Sequence, residues 1–96
     1  MTADNREPSP LPVEFEDAAR GDVVGYDKHV LSARVERAYP PGRPVTFTVA
    51  FATEQVPLSG RSIGSKRNAA GSFDVRIRLT NLTRDARLRL ESHFGD

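Results

Sequence analysis

The feature that most constrains the fold is a change of hydrophobic period within one stretch, FDVRIRLTNLTRDARLRLESHF (residues 73–94). The first part alternates apolar and charged residues, a period of two that predicts a half-buried β-strand. Its apolar positions are Phe73, Val75, Ile77 and Leu79. After Asn81 the apolar residues recur every fourth position, which places them on one face of an α-helix. These positions are Leu82, Ala86, Leu90 and Phe94.

The residues around the predicted helix start are typical of a capped N-terminus. Thr83 stands at the N-cap position, where its hydroxyl can accept a free backbone N–H, and Asp85 suits the positive end of the helix. On the polar face, Arg87 can pair with Glu91, and Asp85 with Arg89, at a spacing of four residues. A strand followed directly by a short helix predicts a small β-barrel with the helix closing one end.

Five earlier segments carry strand patterns separated by turn sequences. LPVEFE (residues 11–16) alternates, and the clearest alternation is VTFTVAFA (residues 45–52). The second pattern predicts core positions at Val45, Phe47, Val49 and Phe51. Shorter strands are predicted at 23–27 and 33–37, joined by a connection over residues 28–32. Tyr39-Pro40-Pro41-Gly42 and NAAGS (68–72) have turn compositions.

The fifth predicted strand, from Val56, contains an irregularity. Ile63 falls out of phase with Val56 and Leu58, so we expect a β-bulge at Gly60 or Gly64. Six strands, short turns and one late helix leave a barrel or a sandwich as the natural architectures.

Length and composition narrow the class of protein. The chain has 96 residues, enough for one domain, which we place at residues 11–96, with the helix at about 83–94 and a flexible arm at 1–10. Cysteine is absent, so disulfides and thiolate metal sites are excluded and a reducing cytosol is expected. We expect no secretory signal, because MTADNREPSP lacks a hydrophobic segment, and no membrane insertion, because no apolar run approaches the ~20 residues of a span.

The remaining motifs argue against catalysis, metal binding and nucleic-acid binding. GRSIGSK (60–66) lacks the spacing and residue order of a phosphate-binding P-loop. His29 and His93 have no partner at a metal-ligand spacing, and no nucleophile–base or paired-carboxylate arrangement can be assembled. The net charge of +1 lacks the basic excess of a dedicated DNA- or RNA-binding domain. We therefore expect neither an enzyme nor a resident cofactor.

Three segments resemble the PilZ domain, the bacterial receptor module for cyclic di-GMP. LPVEFED is similar to the first PilZ strand, and DKHVLSARVE to the turn and third strand that carry half of the ligand site. GRSIGSKRNAAGSFDVRIRLTNLTRDARLRLESHF resembles the last PilZ hairpin with its "-NL-" corner and arginine-rich helix. The resemblance covers nearly the whole chain and implies a six-stranded antiparallel barrel with a C-terminal helix.

The ligand motifs of the family are only partly present. PilZ receptors bind cyclic di-GMP through an RxxxR arm and a [DN]xSxxG turn. Setting LPVEF in register places Arg6 at the second arginine of the arm and Thr2 at the first. Setting ARVE in register places Asp27 on the acid of the turn motif, His29 on its serine and Ser32 on its glycine. Two of the five motif residues, Arg6 and Asp27, are therefore retained.

The resemblance implies two alternative functions for a cytoplasmic, non-catalytic domain. The first is an adaptor in cyclic di-GMP-linked regulation, which contacts a regulatory protein and binds the nucleotide weakly or not at all. The second is a receptor whose modified site still binds cyclic di-GMP. The candidate ligand residues are Arg6, Asp27, Lys28, His29 and Ser32. Lys28 adds a cation beside His29, and both could contact phosphate.

Overall fold

The architecture is a closed antiparallel barrel of six strands followed by one helix. The structure, a computed structural model, describes residues 9–51 and 53–94. The strands are β1 (Leu11–Phe15), β2 (Arg20–Asp27), β3 (Val30–Val35), β4 (Pro44–Ala50), β5 (Gln55–Arg67) and β6 (Phe73–Leu79), and the helix is α1 (Arg84–Phe94). Around the barrel the order is β1-β2-β3-β6-β5-β4, closed by the pairing of β4 with β1. The predicted barrel with a C-terminal helix is confirmed, and the sandwich is excluded.

The core is formed by the inward-facing residues of all six strands, since alternate residues of a strand face opposite sides of the sheet, together with Ala86 and Leu90 of α1. The largest fully buried side chains are Phe47, Leu31, Ile77, Leu90, Val23, Val35, Val49 and Val75. Of the core positions predicted in the fourth and sixth strands, Phe51 and Phe73 are only half-buried. Phe51 follows the last residue of β4 and Phe73 is the first residue of β6, so both lie at the rim of the core.

The predicted irregularity in the fifth strand is a bulge at Ile63. The pairing of β5 with β6 shifts register between Ser62 and Gly64, which leaves Ile63 as the extra residue, 37% exposed. Gly60 has a different role, because a Cβ there would overlap the backbone carbonyl oxygen of Arg78. Glycine at position 60 therefore allows β5 and β6 to approach closely.

Helix α1 has the predicted cap and the predicted buried face. The Thr83 hydroxyl accepts a hydrogen bond from the Ala86 amide at 3.1 Å, as an N-cap does. Ala86 and Leu90 are buried, and Leu82 and Phe94 are half-buried against the same core. The helix therefore seals the barrel with apolar side chains.

The polar face of α1 carries both predicted ion pairs. Arg87 pairs with Glu91 at 3.3 Å, and Arg89 pairs with Asp85 at 3.1 Å. Arg89 also contacts Glu54 in the connection between β4 and β5, which ties the helix to the barrel. No helix in residues 9–51 and 53–94 is both long and apolar enough to cross a membrane.

A hydrogen-bonded cluster holds the chain just beyond the C-terminal end of β1. The Tyr39 hydroxyl donates to Asp17 Oδ1 at 3.0 Å, and Arg37 pairs with Asp17 Oδ2 at 2.9 Å. The Tyr39 ring stacks on Phe15 with 4.9 Å between ring centroids. Burial alone would raise the pKa of Asp17, but hydrogen bonds from the Ala19 amide and Tyr39, together with Arg37, bring that pKa below its ordinary value. The pKa of Tyr39 is raised mainly by burial and, to a smaller extent, by the neighbouring Asp17 carboxylate.

Candidate functional site

The β2–β3 hairpin, which carries four of the five candidate residues, has a two-residue turn. Asp27 pairs with Val30, so the connection consists of Lys28 and His29 alone. Both have left-handed backbone conformations, with φ of 51° and 70°. Two positive φ values in a two-residue loop match the right-handed twist of the flanking strands. The predicted connection to Ser32 was too long, and Ser32 lies within β3.

Asp27 and Ser32 share the outer face of the barrel. Their orientation follows from the strand alternation, because Leu31, next to Ser32, is buried in the core. On this face Ser32 pairs with Gly25 of β2 on one side and with Arg76 of β6 on the other. Asp27 lies diagonally across the β2–β3 pair from Ser32, at the ~7–8 Å typical of diagonal neighbours. The structure therefore brings these two candidates together.

The other candidates lie at the edge of that face or outside the described residues. Lys28 and His29 are exposed at the tip of the turn, and the His29 carbonyl accepts a hydrogen bond from the Leu79 amide at 2.9 Å. This bond holds the turn against the end of β6. Arg6, like Thr2, lies outside the residues that the structure describes.

Three arginines from β5 and β6 lie on the same outer face. Arg78 is paired with Arg61 of β5, and Arg76 lies between Ser32 of β3 and Gly64 of β5. All three arginines are exposed, whereas Ser32 and Gly64 are half-buried beside them. We call Arg61, Arg76 and Arg78 the arginine face.

Among the residues that the structure describes, no carboxylate forms an ion pair with the arginine face. Arg61 Nη1 instead donates to the Gly42 carbonyl at 3.0 Å. The adjacent row of the same sheet is different, because there Arg34 of β3 faces Asp74 of β6 and pairs with it at 3.5 Å.

Sequence reasoning placed Arg76 and Arg78 on the polar side of their strand but did not connect them with Ser32 or Arg61. The alternation in FDVRIRL is sufficient to place the arginines on the polar side. Their proximity to Ser32 and Arg61 depends on the register of β6 against β3 and β5, and the bulge at Ile63 changes the register with β5. No local pattern in the sequence specifies it.

Three grooves of the described surface lie away from Asp27 and Ser32: one along β1 beside Glu14, one beside Tyr39, and one between α1 and β1 beside Leu88. None is lined by Asp27, Lys28, His29 or Ser32. Among residues 9–51 and 53–94, no group of three or more His, Cys, Asp or Glu residues is placed to hold a metal ion.

No protein-family model, curated protein or solved structure matches this chain. Any functional assignment therefore depends on its residues and geometry.

Proposed function

We propose that this domain is a non-catalytic, PilZ-like adaptor in bacterial cyclic di-GMP-linked regulation of motility, pili or surface polymer. It acts by contact with a regulatory protein and binds cyclic di-GMP weakly or not at all. The six-stranded barrel with its terminal helix is the architecture that the resemblance implies. The observation that carries the proposal is the exposure of Asp27, Lys28 and His29 on a face that contributes to none of these three grooves.

An exposed face outside these three grooves favours a protein partner over a small ligand. Small-molecule sites are usually concave and bury most of the ligand surface, whereas protein interfaces use flatter surfaces. The two-residue turn of Lys28 and His29 cannot fold around a ligand, since both residues are fixed between paired strands.

A second candidate function, a cyclic di-GMP receptor with a modified site, is favoured by one specific observation. Asp27 and Ser32 share their face with Arg76 and Arg78. Arginine binds phosphate and guanine edges bidentately, so these side chains could replace a lost arginine of the arm. In this alternative Arg6, Asp27, Lys28 and His29 also contact the dinucleotide.

Calorimetric titration of the full chain with cyclic di-GMP separates the two functions. The adaptor predicts no saturating heat at micromolar protein. A sub-micromolar midpoint that is abolished by Arg6→Ala and by Asp27→Ala would establish the receptor instead. Asp22→Ala is the matched control, because Asp22 is also exposed on β2 and pairs in register with Arg34, away from the turn.

A further inference from the structure

The arginine face combines like charges in a way that fold stability does not explain. Arg61 and Arg78 are direct cross-strand partners, and Arg76 is two residues from Arg78 on the same side of β6. Like charges directly opposite each other destabilise a sheet. The neighbouring row shows that this sheet also accommodates the favourable arrangement, since Arg34 there faces Asp74.

The surroundings of the three arginines leave their guanidinium groups accessible. Ser32 and Gly64 flank Arg76 on its two sides, and both are too small to cover it. The hydrogen bond from Arg61 to the Gly42 carbonyl restrains that side chain without neutralising it. The result is a cationic surface on which two small residues flank the central arginine.

The spacing of the arginines defines the anion that fits them. Paired residues of adjacent strands are separated by about 5 Å, and residues two apart on one strand by about 7 Å. Carboxylates at positions i+3 and i+4 of a helix each lie about 5–6 Å from the one at position i, measured between Cβ atoms, which falls between these two separations. Each guanidinium can bind a carboxylate bidentately.

A nucleic acid fits this surface less well. Single-stranded nucleic acids are bound by basic grooves together with aromatic side chains on which bases stack. Besides one another, the cross-strand neighbours of the three arginines are Val30, Ser32, Pro44 and Gly64, which offer no aromatic ring. The net charge of +1 also lacks the basic excess of such proteins.

We infer that Arg61, Arg76 and Arg78 form a docking site for an acidic helical segment of a partner protein, which presents three carboxylates at i, i+3 and i+4. The inference rests on the proposed function, in which the domain acts by protein contact, and it adds the surface and the chemistry of the partner. Charge complementarity and the matching spacing carry it.

The test is an NMR amide-shift titration of the full chain at low ionic strength with four probes. They are a synthetic helical peptide with Glu at i, i+3 and i+4, the same peptide with Gln at those positions, single-stranded oligothymidylate and cyclic di-GMP. The Glu peptide should shift the amides of Arg61, Arg76 and Arg78, and the Gln peptide should not. Each Arg→Gln substitution should weaken binding about threefold to fivefold, as expected for an exposed ion pair.

Controls keep folding separate from binding. Arg34 lies on the same sheet but is already paired with Asp74. The substitution Arg34→Gln should therefore change the affinity for the Glu peptide less than twofold. The double variant Arg76→Gln/Arg78→Gln should weaken binding about tenfold or more without lowering the thermal midpoint, since it removes like-charge repulsion.

Equal binding of the Glu and Gln peptides, or unchanged binding in the double variant, would overturn the inference. Tighter binding of oligothymidylate or cyclic di-GMP to this face would also overturn it. So would amide shifts on this face that depend on protein concentration without peptide, because they would indicate that a second copy of the chain binds there. A cyclic di-GMP midpoint below micromolar would contradict the proposed adaptor function whatever the peptides do. If the peptides do not bind and cyclic di-GMP does not bind either, the docking site is wrong. The adaptor function is then still tested separately by the calorimetric titration with cyclic di-GMP.

Discussion

The turn of Lys28 and His29 places two residues with side chains where glycine or asparagine is usual. Left-handed backbone conformations cost such residues roughly 1–2 kcal/mol each, and glycine avoids most of that strain at a smaller entropic cost. We therefore predict that His29→Gly raises the free energy of unfolding by about 0.5–1 kcal/mol in urea denaturation. Ala18, with a φ of 73°, is the matched control, and Ala18→Gly should give a similar gain. A loss of stability in His29→Gly alone would show that the imidazole makes a stabilising contact.

The Tyr39–Asp17 contact makes stability depend on pH with a defined sign. The pKa of Asp17 is lower in the folded protein than its ordinary 3.8, so the contact stabilises the fold above that pH and is lost as the pH falls through the folded-state pKa. Tyr39→Phe removes the hydroxyl donor and should destabilise the protein by ~1 kcal/mol at neutral pH.

Melts of both proteins from pH 7 to pH 2 check this prediction. The difference in stability should shrink below pH 3.8, and an NMR titration should show a higher Asp17 pKa in the variant. A stability difference that stays constant down to pH 2 would mean that Tyr39 acts through packing on Phe15 rather than through the carboxylate.

At the scale of the elements, helix α1 is part of the core rather than an appendage. Leu90 is fully buried, whereas Leu88 on the opposite side of the same helix is 49% exposed. Leu90→Ala should lower the free energy of unfolding by about 2–5 kcal/mol, and Leu88→Ala should change it by about 0.5 kcal/mol or less. Truncation after Asn81 exposes the barrel end and should yield an insoluble or molten product. A truncated chain that unfolds as cooperatively as the parent would show that the barrel folds without the helix.

Local patterns predicted most of the elements and left the relations between them open. The alternation in β4 and β6 identifies their core sides. Thr83 identifies the N-cap of α1, and the apolar residues at every fourth position identify its buried face. The predicted β2–β3 connection is too long because Lys28 and His29 lack the glycine or asparagine by which two-residue turns are recognised. The neighbours of Arg78 were not predictable, since strand order and register arise from packing of the whole barrel.

At the scale of the whole molecule, the proposed function predicts that this barrel does not bind cyclic di-GMP strongly. A ligand that binds only the folded state stabilises it by an amount that rises with the logarithm of its affinity, so thermal unfolding of the full chain reports binding wherever the site lies. At 100 μM cyclic di-GMP, a dissociation constant of 1 μM corresponds to about 2.7 kcal/mol, and one of 100 μM or weaker to about 0.4 kcal/mol or less.

The most direct test is the thermal midpoint of the full chain with and without 100 μM cyclic di-GMP. For a domain of about 100 residues, each kcal/mol shifts the midpoint by about 4–8 °C. The adaptor function predicts a shift of less than about 3 °C. A rise of about 10 °C or more would contradict it and identify the domain as a cyclic di-GMP receptor.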